Sequence, residues 1–119
     1  LVAAAELIGA ARLVAHVGPY ESIDALKSAA KTISGVLGDG VVVLAMDAEE
    51  PQVFVTVSAD LVARGLSAGD LVRAAVAPLE GKGGGRPEMA QGKGSRREGI
   101  PAALEAVRSA VRQALENGA

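Results

Sequence analysis

The feature that most constrains the fold is an unbroken apolar run from Val41 to Met46, rich in β-branched residues. The run lacks the alternation of a half-exposed strand, so both of its faces must be buried. We therefore predict a central strand in a sheet with helix cover. It is the longest apolar run in the chain and far too short to cross a bilayer, so we expect no membrane partner.

Short strands and an amphipathic helix surround this run. Residues 11–17 alternate with a period of two, which predicts a strand with one buried face. The spacing of apolar residues from Ser22, a good N-cap, to about Leu37 predicts a helix with one buried stripe. Residues 53–57 predict a strand that forms an antiparallel hairpin with the central one, because only a short polar loop separates the two.

Two further helices complete the predicted order. The first begins at Ser67, where Asp70 completes a pattern like a capping box, and the last has Pro101 in its first turn. A glycine-rich loop lies between them. The order β-α-β-β-α, glycine-rich loop, α indicates an α/β fold with a small, mixed β-sheet covered by helices.

The first residues, 1–9, are alanine-rich and apolar and carry no capping signal. A helix without a start signal is typical of a segment cut from a longer chain. We therefore expect residues 1–10 to be the end of a linker helix and residues 11–119 to form a single domain. That length suffices for one hydrophobic core.

The glycine-rich segment differs from the rest of the chain in both flexibility and charge. Residues 81–99 hold seven of the fifteen glycines. Residues 81–97 hold five basic residues and one acidic residue, a net charge of +4, so the other residues carry −6 of the total of −2. A basic segment on an acidic body indicates an anionic partner. Its glycine amides could converge on an anion, or the segment could be a flexible linker.

Several kinds of site are excluded or disfavoured. The chain has no cysteine and one histidine, which excludes thiolate zinc sites and two-histidine metal sites. Pro87 stands where a Walker loop needs its first glycine, and Arg86 where a dinucleotide fingerprint needs its last. Only Tyr20 and Phe54 are aromatic, which argues against base stacking as the main interaction. The acidic run at residues 47–50 is most simply a solvated turn.

Residues 81–94, GKGGGRPEMAQGKG, resemble the glycine-rich signature of the C-terminal, DHH-associated domain of bacterial-type alanyl-tRNA synthetases. Residues 41–61 and the helix that enters the signature are similar to that family in order and spacing. Arg86 follows the triple glycine, whereas the related DHH phosphoesterases usually have a histidine there. Lys93 departs from the family, which more often has a small residue at that position.

The resemblance implies that residues 11–119 are a single C-terminal tRNA-binding domain of the DHH-associated type, without catalysis of its own. In that family the domain contacts the outer corner of the tRNA and couples aminoacylation with editing. The parent protein would be an alanine–tRNA ligase, and ATP and zinc would belong to its other parts. We expect alanine-specific tRNA and the other domains as partners, and the cytoplasm as the location. The predicted nucleic-acid-binding residues are Lys82, Gly83, Gly84, Gly85, Arg86, Gln91, Lys93, Arg96 and Arg97.

Two other functions remain open from the sequence. The chain could be the substrate-binding domain of a DHH-type phosphoesterase that acts on single-stranded nucleic acid or nucleotides. It could instead be an oligomerisation module of the synthetase that forms a homodimer, with the apolar stretch Leu1 to Ile8 as the pairing surface.

Overall fold

The computed structural model describes residues 6–8, 11–18, 23–37, 40–47 and 49–117. In these residues one six-stranded sheet has the strand order β1-β2-β3-β4-β6-β5. The elements are β1 (Glu6–Ile8), β2 (Ala11–Gly18), α1 (Ile23–Leu37), β3 (Gly40–Met46), β4 (Gln52–Val57), α2 (Ala59–Ala63), α3 (Ala68–Val76), β5 (Lys82–Gly85), β6 (Met89–Lys93), a short 3₁₀ helix (Arg97–Gly99) and α4 (Ile100–Asn117).

The sheet is mixed, as the sequence predicts. β2 and β3 are parallel and are joined through α1, whereas every other neighbouring pair is antiparallel. Helices cover both faces. On one face α4 packs on β1, β2 and β3, and α3 packs on β4, β6 and β5; on the other face α1 packs on β3 and β4. The predicted α/β class with a helix-covered mixed sheet is confirmed.

The central position of β3 is also confirmed. All seven of its residues are buried. Val41, Val43 and Ala45 belong to the core under α3 and α4, while Val42 and Leu44 belong to the core under α1. β4 pairs antiparallel with β3, as the predicted hairpin requires. No polar or charged side chain is buried among the residues that the structure describes.

The buried faces of the helices follow the sequence pattern, with differences in detail. Leu26, Ala30 and Ile33 are buried on α1; Ser22 lies outside the described residues. Ser67 is the N-cap of α3, but its side chain makes no capping hydrogen bond. The capping bond expected from this pattern is therefore absent, and Asp70 instead pairs with Arg73 at 2.6 Å. The short helix α2 was not predicted.

Strand β2 has a fully buried residue on each face rather than on one, although Arg12 is exposed. Leu13 and Val14 are each 1% exposed, and they belong to the two opposite cores. A strand whose apolar residues alternate in sequence can still be buried on both faces when helices pack on both sides of the sheet. The one-sided prediction for residues 11–17 was therefore wrong.

The expected linker helix at residues 1–10 is wrong where it can be tested. Glu6–Ile8 forms β1, which pairs antiparallel with β2. The remaining residues of that segment lie outside the described part of the chain. An alanine-rich sequence favours helix by propensity, but the unpaired backbone groups at the edge of β2 offer hydrogen bonds that override it.

The glycine-rich segment is a β-hairpin and not a loop. Lys82–Gly85 and Met89–Lys93 pair antiparallel, and β6 continues the sheet beside β4. Its glycines allow α3 to pack closely on the hairpin. A Cβ on Gly83 would lie 2.6 Å from Val72 Cγ1, and one on Gly92 would lie 2.4 Å from Val76 Cγ1. No atom lies within 4 Å of a Cβ on Gly84. The predicted loop was therefore wrong.

None of the helices in the described residues is long and apolar enough to span a membrane.

Two neighbouring glycines of β5 provide a matched test of this packing. We expect Gly83→Ala to lower the free energy of unfolding by about 1–3 kcal/mol, because its Cβ would overlap Val72 and the backbone of Gly92. Gly84→Ala should change it by less than about 0.5 kcal/mol, since its Cβ meets open space. Urea unfolding of both variants measures the difference. Equal effects would contradict the close packing of α3 on β5.

Candidate nucleic-acid interface

The hairpin presents one uncovered face. The register places Lys82 opposite Lys93 and Gly84 opposite Gln91, while Gln91 lies opposite Phe54 of β4. Phe54 belongs to the core under α1, and directly paired residues share a face. These residues therefore lie on the α1 side of the sheet, beyond the strands on which α1 packs. We call this the open face; it consists of Lys82, Gly84, Met89, Gln91 and Lys93.

All residues of the open face except the half-buried Gly84 are exposed. The side chains of Lys82, Gln91 and Lys93 are exposed. Met89 is 44% exposed, and among the described residues it is the one large apolar residue that is exposed. The intervening residues Ala90 and Gly92 are buried against the opposite core. Large and small side chains alternate from Met89 to Lys93, which is the sequence signal for this strand. The many glycines of the segment made this alternation hard to recognise.

The remaining predicted residues occupy three other places. Gly83 and Gly85 lie on the face toward α3. Arg86 is at the hairpin turn, where its backbone N–H donates to the carbonyl oxygen of Met89 at 2.9 Å. Arg96 and Arg97 lie in the connection to α4. The structure thus brings Lys82, Gly84, Gln91 and Lys93 together, and separates the others from them by face or by element.

The triple glycine does not form an anion-binding nest. Its residues are in an extended strand, in which successive N–H groups point to opposite sides. Arg86 donates a backbone hydrogen bond to Met89, and every second residue of an antiparallel strand bonds to the same neighbour. The N–H of Gly84 is therefore directed toward β6 and that of Gly83 toward the free edge. The amides therefore cannot converge on one anion. The assignment of Gly83, Gly84 and Gly85 to nucleic-acid binding stays a prediction, without the nest geometry.

Three of the five basic residues at positions 81–97 have acidic partners. Lys93 Nζ lies 2.8 Å from Glu50 Oε2, and Arg97 Nε lies 2.5 Å from Asp47 Oδ1. Arg96 lies 3.8 Å from carboxylate oxygens of both Glu80 and Glu98. No ion pair involves Lys82 or Arg86 among the described residues. Within the basic segment, the positive charge that has no acidic partner therefore lies on the hairpin's edge strand and turn.

The pair between Asp47 and Arg97 joins the end of β3 to the segment before α4. The hydrogen bond from Arg97 lowers the pKa of Asp47, and its positive charge acts in the same direction. The same bond raises the pKa of Arg97, so both groups remain charged near neutral pH. The sequence indicated only a solvated turn at Asp47 and Glu50, because their partners are distant in sequence.

No group of three or more histidine, cysteine, aspartate and glutamate side chains in the described residues could hold a metal ion.

Comparison with known proteins identifies the family. Residues 9–113 match the family model of the DHHA1 domain. The chain belongs to this DHHA1 domain family. The alanine–tRNA ligase of Mycolicibacterium smegmatis is 40% identical over 115 residues, which cover 92% of this chain and 13% of that protein. The chain spans 10–13% of the length of the curated relatives that it matches.

Two solved structures share the fold. The C-Ala domain from Aquifex aeolicus alanyl-tRNA synthetase superposes with a TM-score of 0.81 at 23% identity, covering 91% of this chain and 97% of that one. RecJ from Thermus thermophilus has a TM-score of 0.66 at 20% identity, covering 85% of this chain and 15% of that one. The predicted resemblance to the C-terminal domain of alanyl-tRNA synthetases is confirmed.

The Asp47 carboxyl group provides a direct test of the contact with Arg97. We expect Arg97→Ala to raise the pKa of Asp47 toward its ordinary value of 3.8. The pair stabilises the fold above that value, and its contribution is lost as the pH falls through the lowered pKa of Asp47. Carboxyl ¹³C NMR titration measures the change. Arg112→Ala on α4 is the control, and an unshifted Asp47 pKa in Arg97→Ala would contradict the contact.

Proposed function

We propose that this chain is a tRNA-binding accessory domain of an alanine–tRNA ligase. It contacts the outer corner of the tRNA and couples aminoacylation with editing. The proposal places it in the cytoplasm with the other domains of the synthetase, and assigns ATP and zinc to those domains. Similarity to alanine–tRNA ligases supports the parent enzyme, and the basic open face carries the proposal that the partner is a polyanion.

The arrangement of Lys82 and Lys93 is the observation that favours an anionic partner. The two residues are directly opposite on paired strands, and like charges in that position destabilise a sheet. Their Cβ atoms are about 5 Å apart in such a pair, so both flexible side chains can reach one phosphate or two adjacent ones. Lys93 is already paired with Glu50 at 2.8 Å, so a phosphate that reaches both lysines must first displace that carboxylate.

The interaction is expected to be weak and dependent on salt. Within residues 81–97, Lys82 and Arg86 are the basic residues without an acidic partner, so about two phosphate contacts are available there before any ion pair is broken. At about 0.7–0.9 per contact, the log–log salt slope is near −1.4 to −1.8. Phe54 is 3% exposed, so it offers no surface for base stacking. Backbone contacts read shape, which favours a folded tRNA.

The similarity to RecJ does not favour a phosphoesterase role. At 20% identity it shows a shared fold alone.

Binding across a salt series tests the proposal. We expect Lys82→Ala and Arg86→Ala each to reduce the magnitude of the salt slope by about 0.7–0.9, because each removes one phosphate contact. Fluorescence anisotropy with labelled alanine-specific tRNA, from about 50 to 200 mM salt, measures the slopes. An unfolded RNA of the same length should bind more weakly.

Arg112→Ala is the matched control, because Arg112 is exposed on α4, away from the hairpin. It removes the same charge and should leave the slope unchanged within about 0.3. A loss of slope for Arg112→Ala, with none for Lys82→Ala and Arg86→Ala, would move the interface to α4. The absence of salt-dependent binding by the unmodified chain would overturn the proposed function.

A further inference from the structure

We propose that the acidic turn between β3 and β4 competes with nucleic acid for the basic hairpin. This competition makes the affinity for RNA lower than it would be if all the basic side chains of the hairpin were unpaired. The inference rests on the proposed function and names a regulation of the same surface. The acidic turn contributes Asp47, Glu49 and Glu50. Glu50 contacts Lys93 on the open face, and Asp47 contacts Arg97 at the end of the basic segment.

Main-chain contacts hold the acidic turn next to the hairpin. Gln52, the first residue of β4, pairs with Lys93, the last residue of β6. The N–H of Gly94 donates to the carbonyl oxygen of Pro51 at 2.8 Å and extends that ladder by one pair. Glu50 therefore directly precedes a segment anchored to the end of β6, and its carboxylate lies within reach of Lys93.

The Glu50 carboxylate contacts Lys93 where a phosphate would otherwise bind. It neutralises one member of the opposed pair Lys82 and Lys93, at an Nζ to Oε2 distance of 2.8 Å. An RNA phosphate that binds Lys93 must displace this carboxylate, and the freed carboxylate then repels the incoming chain. Binding at Lys93 is consequently weaker than at Lys82.

The Glu50–Lys93 ion pair is weak, so it reduces RNA binding without preventing it. The side chains of Lys93 and Glu50 are 57% and 67% exposed, and ion pairs this exposed contribute little to stability. A partner that presents several phosphates at once can displace Glu50, whereas a single small anion gains little from doing so. The acidic turn thus favours polyanions over isolated anions.

The first measurement is the affinity of Glu50→Gln for tRNA. The amide keeps the size of the side chain and removes its charge. We expect binding about two- to fivefold tighter than that of the unmodified chain at about 50 mM salt, the range for a lost exposed ion pair. The magnitude of the salt slope should rise by about 0.7–0.9, because Lys93 then makes a full phosphate contact.

A double-mutant cycle separates competition from a general change in charge. Glu50→Gln is introduced into the chain that carries Lys93→Gln, and the gain in affinity is measured again. Competition for Lys93 predicts that the gain disappears in this background, since the contested cation is absent. A general electrostatic effect predicts the same gain in both backgrounds and would overturn the inference.

Glu105→Gln is the matched control for the loss of one negative charge. Glu105 is 63% exposed and pairs with Arg108 within α4. We expect it to change tRNA affinity by less than about 1.5-fold. If Glu50→Gln gives no larger gain while the unmodified chain binds tRNA through Lys82 and Arg86, this inference is wrong and the proposed function stands. If the unmodified chain does not bind tRNA, both are wrong.

Discussion

The close packing of α3 on the glycine hairpin is the constraint on which the rest of the structure depends. Val72 and Val76 occupy the space that side chains at Gly83 and Gly92 would fill. This contact holds β5 and β6 against the sheet and extends it from four strands to six. Because one face of the hairpin is committed to α3, its other face can remain open.

The division of the hairpin into two faces separates stability from binding. Gly83, Gly92 and Ala90 lie toward α3, where small size is required. Lys82 and Lys93 lie on the opposite face, where their side chains are exposed. A sequence rich in glycine and lysine therefore reflects two requirements on alternating positions of the same strands, and not a flexible linker.

The differences from the sequence prediction have a common cause. The central strand and the apolar stripes of α1, α3 and α4 follow local patterns, and they were predicted correctly. The hairpin and β1 were not, because low strand propensity in Gly83–Gly85 and high helix propensity in the alanine-rich start are overridden by pairing with distant strands. The charge of the basic segment was correctly recognised, but the ion pairs that reduce it were not.

The sequence by itself determined the buried central strand, the fold class, the resemblance to the synthetase domain and the basic character of residues 81–97. The tertiary structure alone decided which of those residues share a face and which cations have partners. Lys93 meets Glu50 only because β6 pairs with β4, and Arg97 meets Asp47 only because the chain returns to the end of β3. Charge is a property of composition, whereas its availability depends on strand register and on contacts between residues far apart in the chain.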